Sequence, residues 1–290
     1  MTATLLAEQA LNGLQLGLML FLMAAGLTLV LGIMDTINLA HGSLYMVGAY
    51  LAAAIAQATG SFLAGVLLAI VATAVLGAAI EMSVLRALYR RDHLSQVLAT
   101  FALILIANEG VRMVWGAQPV ALATPAALSG PVELAPGFFY PAWRLLLIAV
   151  GLAVAALLFL LVNHTRAGMR VRAGASNREM AEVMGVDVKR LFTVVFAIGA
   201  GLCALAGALL GPLLAVQVGM GESILILALV VVVIGGIGSI RGAFVGALLV
   251  GFVDTLGRAL LLPALASIAI YIVMAAVLFW KPQGLFPARA

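Results

Sequence analysis

Apolar runs long enough to cross a bilayer follow one another along almost the whole of this sequence. A hydrocarbon core about 30 Å thick requires roughly 20 apolar residues per helix. Runs bounded by charged residues, Pro or Gly predict nine spans, near 9–32, 40–57, 62–85, 95–114, 143–163, 191–213, 223–240, 242–261 and 264–280. Of the 290 residues, 65% are hydrophobic and only 9% are charged, which leaves no room for a separate soluble domain. We therefore predict one all-α polytopic membrane domain over 1–290, with about eight to ten transmembrane helices.

The basic residues indicate how these spans are oriented. Twelve of the fifteen Lys and Arg residues lie on one side if that side contains 82–94, 164–190, Arg241 and the C-terminus. Cytoplasmic loops collect Lys and Arg, so this side and the C-terminus are predicted to be cytoplasmic. The segment 115–142, rich in proline and without Lys or Arg, is predicted to be an external loop. The N-terminus lacks the basic segment of a cleaved signal peptide, so we expect the first run to remain as a span.

The sequence offers no set of residues typical of catalysis or metal binding. Its one cysteine, Cys203, lies inside an apolar run, and its three histidines are far apart along the chain. Neither Gly-x-Ser-x-Gly nor His-Glu-x-x-His occurs. The net charge of +4 follows from loop orientation rather than from nucleic-acid binding. We therefore predict a protein that is not an enzyme, with no metal, no cofactor and no nucleic-acid partner.

Polar residues interrupt the apolar pattern at 35–45, between the first two predicted spans. Polar side chains and irregular backbone at bilayer depth are tolerated mainly where they face protein or a water-filled cavity. Asn38 or Ser43 could cap a half-helix whose N-terminal amides point at a carboxylate, which would suit an amino-acid substrate. The alternative is a short cytoplasmic turn, in which Asn38 is a cap and His41 bonds to the backbone.

The longest charged stretch, 164–190, holds six of the fifteen basic residues and lies between two predicted spans. Ser176, followed three residues later by Glu179, matches a capping box and predicts a short helix through Met184. Gly185 is suited to the left-handed residue that ends such a helix. A short amphipathic helix here would lie along the membrane or dock in a partner's groove. A solvated loop helix, or contact with lipid headgroups, is the alternative.

A glycine-rich segment at 235–242 follows another hydrophobic span. Its spacing is superficially similar to that of nucleotide-binding motifs, which need a strand before and a helix after them in a soluble sheet. A membrane span before the glycines does not meet that requirement. A tight turn or helix break is therefore predicted at Gly235, Gly236, Gly238 and Gly242.

Three blocks of sequence together carry a family resemblance. The first is 37–42, Ile-Asn-Leu-Ala-His-Gly, with Tyr, Met and Gly within 45–48. The second combines 166–170, Arg-Ala-Gly-Met-Arg, with Met-Gly-Val at 184–186, and the third is the glycine pattern of 235–246. In this order and at this length, they resemble the inner-membrane permease subunits of branched-chain amino-acid ABC importers, a family that also includes urea and amide permeases. The resemblance covers almost the whole chain.

The resemblance implies an ABC-importer permease fold, with one or more broken helices, in the bacterial inner membrane. It implies that the chain is one permease half, surrounded by lipid. The other parts would be a second permease subunit, usually a different chain, two cytoplasmic ATPase subunits and a periplasmic solute-binding protein. The solute would be a branched-chain or related amino acid, with urea or short amides as alternatives.

The resemblance also assigns roles to residues. The translocation pathway would be lined by Asn38, His41, Gly42, Ser43 and Tyr45. A coupling helix bound to an ATPase groove would involve Ser176, Asn177, Glu179, Ala181, Glu182 and Gly185. The competing interpretation is a secondary transporter or channel for small polar solutes that works alone, with Asp35 as its ion-coupling carboxylate.

Overall fold

A computed structural model describes residues 3–34, 36, 38–89 and 91–286. This part of the chain is almost entirely α-helical, and each of the nine predicted spans falls on a helix. The elements are α1 (Ala3–Met34), α2 (His41–Thr59), α3 (Phe62–Ile80), a π-helical turn (Glu81–Leu85), α4 (Arg86–Leu88), α5 (His93–Trp115), a 3-10 turn (Ala126–Leu128), β1 (Pro131–Ala135), β2 (Phe138–Pro141), α6 (Ala142–His164), α7 (Arg166–Ser176), α8 (Arg178–Val183), α9 (Val188–Leu214), α10 (Met220–Gly235), α11 (Ile240–Leu260) and α12 (Pro263–Trp280). The predicted all-α class is confirmed.

Membrane-spanning length is met by most of these helices. Within the described residues, six helical segments are long and apolar enough to cross a membrane, namely α1, the segment from Phe62 to Leu88, α5, α6, α9 and α11. Shorter apolar helices occur at Met220–Gly235 and Leu265–Trp280. The remaining predicted span, α2, has 19 residues, about 28 Å at 1.5 Å per residue.

The helix α1 forms the centre of the bundle and packs against α6, α9, α10 and α11. Every side chain from Leu18 to Ala25 is at most 1% exposed. A helix that is apolar on all sides is typically enclosed by other helices. The helix α2 packs against α3, α9 and α10. Four described residues at the end of α1 and before α2 are also buried, because Met34, Thr36, Asn38 and Ala40 are all at most 6% exposed.

An apolar belt surrounds this core. Leu67 in α3, Ile106 in α5, Leu157 in α6 and Ile272 in α12 are between 55% and 67% exposed. So many large exposed apolar side chains would be unfavourable in water and are favourable in hydrocarbon. The outer surface therefore agrees with a polytopic membrane protein.

The predicted external loop contains a β-hairpin that the sequence pattern did not indicate. The strands β1 and β2 are antiparallel, with Val132 opposite Tyr140, and Gly137 between them has a φ of 78°. The Tyr140 ring is fully buried, and its hydroxyl donates a hydrogen bond to Asn12 at 2.9 Å. This contact fixes the hairpin to the first part of α1.

The charged stretch folds into two helices instead of one. The helix α7 was not predicted, and Ser176 is its last residue, so the predicted capping box at Ser176 is wrong. The cap of α8 is Asn177, whose Oδ1 accepts a hydrogen bond from the Met180 amide at 2.9 Å. A capping residue needs extended backbone, and Asn177 has it, with a φ of −152°, whereas Ser176 is still helical.

Candidate functional site

The break between α1 and α2 is short, and polar side chains stabilise it. Thr36 Oγ1 donates to the Met34 carbonyl at 2.8 Å, and Asn38 Oδ1 accepts a hydrogen bond from the Ala40 amide at 3.0 Å. Such local bonds replace helical bonds that the backbone loses at a break inside a membrane protein. Two positions of this break lie outside the described residues, Asp35 and Ile37.

The residues predicted to line the pathway are all buried in the single chain. Asn38, Ser43 and Tyr45 are 2%, 7% and 1% exposed, and His41 is fully buried. Gly42 is buried as well. The His41 ring lies against α9, with 3.0 Å between its Nε2 and the Cys203 Sγ. A solute on the outer surface of this chain therefore does not touch them in this conformation.

The first turns of α2 and α10 cross at two glycines. A Cβ atom on Gly42 would collide with the Gly221 carbonyl, and a Cβ atom on Gly221 would collide with the Gly42 carbonyl. Only glycine permits backbones to approach so closely. Because both helices begin here, at His41 and Met220, their unpaired N-terminal amides lie in one region inside the bundle.

Beside this crossing, a carboxylate lies on the outer surface. Glu222 of α10 is exposed and accepts a hydrogen bond from Asn108 Nδ2 of α5 at 2.6 Å. It lies about 20 Å along the helix axis from Gly235, where α10 ends. Ionisable side chains in membrane helices seldom face lipid, so this polar face indicates a protein or water boundary.

Both ends of α8 have defined caps. Asn177 caps its start, and Gly185 follows its end with a φ of 84°. The Gly185 amide donates to the Glu182 carbonyl, and the Val186 amide donates to the Ala181 carbonyl, both at 3.0 Å. These two bonds form a Schellman motif. A helix of only six residues would not be stable alone, and here the caps and the contact with α9 hold it in place.

The outward face of α8 is apolar. Met180, Val183 and Met184 are 59%, 82% and 77% exposed, and their spacing places them on one side of the helix. Ala181 is 4% exposed and faces the bundle. Beside the apolar strip lie the exposed acidic side chains Glu179 and Glu182. Met180, Val183 and Met184 were not among the predicted coupling residues, although their spacing is visible in the sequence.

Arg178, the first residue of α8, connects this helix to the end of α1. Its Nη2 donates a hydrogen bond to the Met34 carbonyl at 3.2 Å. Its Cζ lies 4.6 Å from the centre of the Phe192 ring and 6.0 Å from that of Tyr89. The two rings meet edge to face at 5.4 Å. One side chain thus joins the capped helix to the residue before the break.

A buried carboxylate, which the sequence analysis missed, lies next to this contact. Glu81 is fully buried and accepts hydrogen bonds from Arg86 at 2.8 Å, Thr193 at 2.6 Å and Tyr89 at 2.9 Å. Burial, together with the hydrogen bond to Glu81, raises the pKa of the Tyr89 hydroxyl, which therefore stays protonated as a donor. The π-helical turn at Glu81–Leu85 brings positions 81 and 86 together, whereas α-helical spacing pairs residues three or four apart.

The glycine-rich segment forms the turn between α10 and α11. Gly235 is the last residue of α10, and Gly236 and Gly238 have φ values of 102° and 79°. Ser239 caps α11, with its Oγ accepting a hydrogen bond from the Gly242 amide at 3.1 Å. A Cβ atom on Gly242 would collide with the Gly235 carbonyl, so the two helices leave the turn in backbone contact.

Among the described residues, no three His, Cys, Asp or Glu side chains converge as metal ligands. The chain instead combines three features. They are a buried break between helices, a polar face on the outer surface, and a capped helix that is linked to the break. These features define a polytopic membrane protein of the permease class.

The chain belongs to the family described as the permease component of branched-chain amino acid transport systems, whose sequence pattern matches residues 9–278. It is 31% identical over 299 aligned residues to the high-affinity branched-chain amino acid transport system permease protein LivH of Escherichia coli (strain K12), over 96% of this chain and 94% of the relative. It is 28% identical over 290 residues to the corresponding protein BraD of Pseudomonas aeruginosa, over 96% and 94%.

A more distant relative is the ribose import permease protein RbsC of Escherichia coli (strain K12), 29% identical over 255 residues, over 80% of this chain and 72% of the relative. No solved structure matches the chain. The family resemblance carried by the three sequence blocks is confirmed. The protein is a multi-pass membrane permease subunit that works with other components of a transport system.

Proposed function

We propose that this chain is one of two permease subunits of an ABC importer for branched-chain or related amino acids, in the bacterial inner membrane. The names of the LivH and BraD relatives support this solute class. Urea and short amides are the alternative solutes. The end of the bundle that carries α7, α8 and the turn at Arg241 is rich in basic residues, which supports a cytoplasmic location for that end and for the C-terminus.

The observation that carries the proposal is the exposed face of α8. An amphipathic helix that docks into a groove presents apolar residues three and four positions apart, as Met180, Val183 and Met184 do. We propose that this strip binds a groove on one of two cytoplasmic ATPase subunits, with Glu179 and Glu182 at its edges. The Schellman motif at Gly185 presents the strip in one orientation, which lowers the entropic cost of binding.

The exposed polar face between α5 and α10 is the proposed contact with the second permease subunit. Asn108 and Glu222 would be unfavourable against lipid and become favourable if a partner encloses them with water. We propose that solute passes between the two subunits along this face. The segment 38–45 borders it, because Gly42 contacts Gly221, the neighbour of Glu222. The β1–β2 hairpin, on the opposite side of the membrane from α8 in this orientation, would face the periplasmic binding protein.

The test is to purify the chain from its native membrane in mild detergent and to identify every polypeptide that copurifies. A second permease and two ATPase subunits are expected. Leu134→Asp, which places the same charge at an exposed position of β1, is the control for Val183→Asp in α8. ATPase copurification is expected to fall only for Val183→Asp. A chain that purifies alone and transports solute without ATP would contradict the proposal.

A further inference from the structure

A cavity of about 1180 Å³ opens among α1, α6, α7 and the turn between α10 and α11. Neither the polar face at Glu222 nor the exposed strip of α8 contributes to its lining. Its volume lies somewhat above the range for small-molecule sites, about 300 to 1,000 Å³. It is therefore large enough for a ligand that the proposed function does not use.

The described charged side chains that line this cavity are of one sign. They are Arg91, Arg172, Arg178 and Arg241, and no described Asp or Glu side chain lines it. The ion pairs found in the described part of the chain involve other arginines. Positive charges gathered in a recess without counter-charges raise the local potential and attract anions. The cavity is therefore suited to a negatively charged group.

Two of these arginines rest on one turn of α6. The Arg241 Cζ lies 5.2 Å from the centre of the Phe159 ring, and Arg172 donates a hydrogen bond to the Val162 carbonyl. Positions 159 and 162 are neighbours on a helix surface, with about 5 to 6 Å between their Cβ atoms. The two guanidinium groups therefore contact the same turn of α6, one from α7 and one from α11. Each keeps further N–H donors, which match phosphate oxygens in number and geometry.

Apolar side chains complete the cavity, among them Leu29, Ile33, Val162 and Ile240. We propose that the cavity binds the phosphate ester of an anionic membrane lipid, with the phosphate between Arg172 and Arg241. Basic recesses between membrane helices at the cytoplasmic surface are suited to such headgroups. The apolar lining favours a lipid over a free phosphate compound, because only the lipid brings acyl chains to cover it.

The experiment compares two double variants that lose the same charge. R172Q/R241Q removes both arginines from the cavity, and R166Q/R170Q removes two exposed arginines of α7 that do not line it. The full chain, purified with its partners, is unfolded thermally in neutral detergent with phosphatidylglycerol, with phosphatidylcholine or with inorganic phosphate. Phosphatidylglycerol is expected to raise the unfolding temperature by roughly 5 °C in the natural chain and in R166Q/R170Q. In R172Q/R241Q the rise is expected to be under about 1 °C.

Equal effects of phosphatidylglycerol and phosphatidylcholine on the natural chain would overturn the proposal, as would the same loss in both double variants. Inorganic phosphate, and not phosphatidylglycerol, could raise the unfolding temperature of the natural chain but not that of R172Q/R241Q. The cavity would then bind phosphate, but its ligand would be a soluble compound and not a lipid. The single variants R172Q and R241Q allow the comparison even if the double variant fails to fold. Each is expected to show a reduced rise, and an unchanged rise in both would reject the site.

Discussion

The guanidinium of Arg178 donates a hydrogen bond to the carbonyl of Met34, with 3.2 Å between the nitrogen and the oxygen. Arg178 begins α8, and Met34 ends α1 directly before the buried break. The same guanidinium also packs over the Phe192 ring. A movement of α8 would therefore displace the end of α1. This contact is a direct physical connection between the proposed docking helix and the segment that leads into α2.

Replacing Arg178 with Lys tests whether this connection transmits movement. Lysine keeps the charge but lacks the planar group that both stacks on Phe192 and reaches Met34. We expect ATP-driven solute uptake by the reconstituted importer to fall about tenfold, equivalent to a coupling free energy of about 1.4 kcal/mol. Copurification of the ATPase subunits should not change. Arg190→Lys is the control, because Arg190 is exposed and pairs only locally with Asp187 at 2.9 Å. Equal uptake by the two variants would exclude a role for the Arg178 contact.

Replacing Val183 with Asp tests the docking strip. Val183 is 82% exposed, so the change should alter the free energy of unfolding by less than about 0.5 kcal/mol. In a complex, however, the new carboxylate would lose its hydration inside an apolar groove. We expect ATPase binding to weaken at least about tenfold, because each 1.4 kcal/mol changes a dissociation constant tenfold. Binding is measured with purified ATPase subunits. If Val183→Asp binds as tightly as the control Leu134→Asp, α8 is not the docking helix.

The ion pair between Glu81 and Arg86 predicts an unequal response to losing either partner. The Glu81 side chain is fully buried, whereas that of Arg86 is 36% exposed. Arg86→Met would leave a buried carboxylate with only hydroxyl donors, at a cost of about 3 kcal/mol in the free energy of unfolding. Glu81→Gln would leave a guanidinium that still reaches water, at a cost of about 1 kcal/mol. Thermal unfolding in detergent ranks the two variants.

A control for this pair is Glu109→Gln, which breaks the exposed contact with Arg112. Its side chains are 59% and 52% exposed, so the expected cost is below about 1 kcal/mol. If Glu81→Gln lowers the free energy of unfolding more than Arg86→Met does, then burial of the carboxylate is not the main contribution to the stability of this cluster.

The helices that cross the membrane were predictable because an apolar run is a local property of the sequence. The helix α7 was not, because Arg166, Arg170 and Arg172 give it a polar composition. Its position depends on the Thr165 cap and on burial of Val171 against the bundle. The first of these signals is visible in the sequence, but the second exists only in the folded chain.

The site was predictable in part for the same reason. The break near Asn38 and the end of α8 at Gly185 follow from local residue types. In contrast, His41 contacts Cys203 across 162 positions of sequence, and Glu222 meets Asn108 across 114. No local pattern pairs residues so far apart. This is why the sequence indicated a pathway segment but not its burial, nor the exposed carboxylate beside it.

Replacing Gly221 with Ala tests the contact between α2 and α10. The added Cβ atom would collide with the Gly42 carbonyl, and overpacking of this kind costs about 1 to 3 kcal/mol. Gly110→Ala in α5 is the control, because a Cβ atom there meets nothing within 4 Å. Alanine is favoured over glycine in a helix by about 0.5 to 1 kcal/mol, so this variant should be slightly more stable. We therefore expect Gly221→Ala to lower the unfolding temperature and Gly110→Ala to raise it slightly. If Gly221→Ala leaves the unfolding temperature unchanged, the two helices separate easily at this crossing.

Replacing Glu222 with Gln tests the proposed pathway and the class of solute together. Glutamine keeps the size of the side chain and removes its charge. If the carboxylate binds the ammonium group of an amino acid, uptake should fall about tenfold or more, because hydrogen bonds to charged groups contribute about 1.5 to 3 kcal/mol. The variant should still fold, since Glu222 is exposed in the single chain. Glu109→Gln is the matched control, because Glu109 is an exposed carboxylate that pairs with Arg112 in its own helix.

The outcome of Glu222→Gln separates three cases. Loss of amino-acid uptake with normal ATPase binding would support both the pathway along α5 and α10 and a charged solute. Urea and short amides carry no ammonium group, so an importer of those solutes would keep its uptake when the carboxylate is neutralised. Unchanged uptake of an amino acid that the importer is known to carry would place the pathway elsewhere, because a charge in that pathway interacts with every zwitterion that passes it. The proposed docking of α8 would be unaffected by that result, because it is argued from the exposed side chains of Met180, Val183 and Met184.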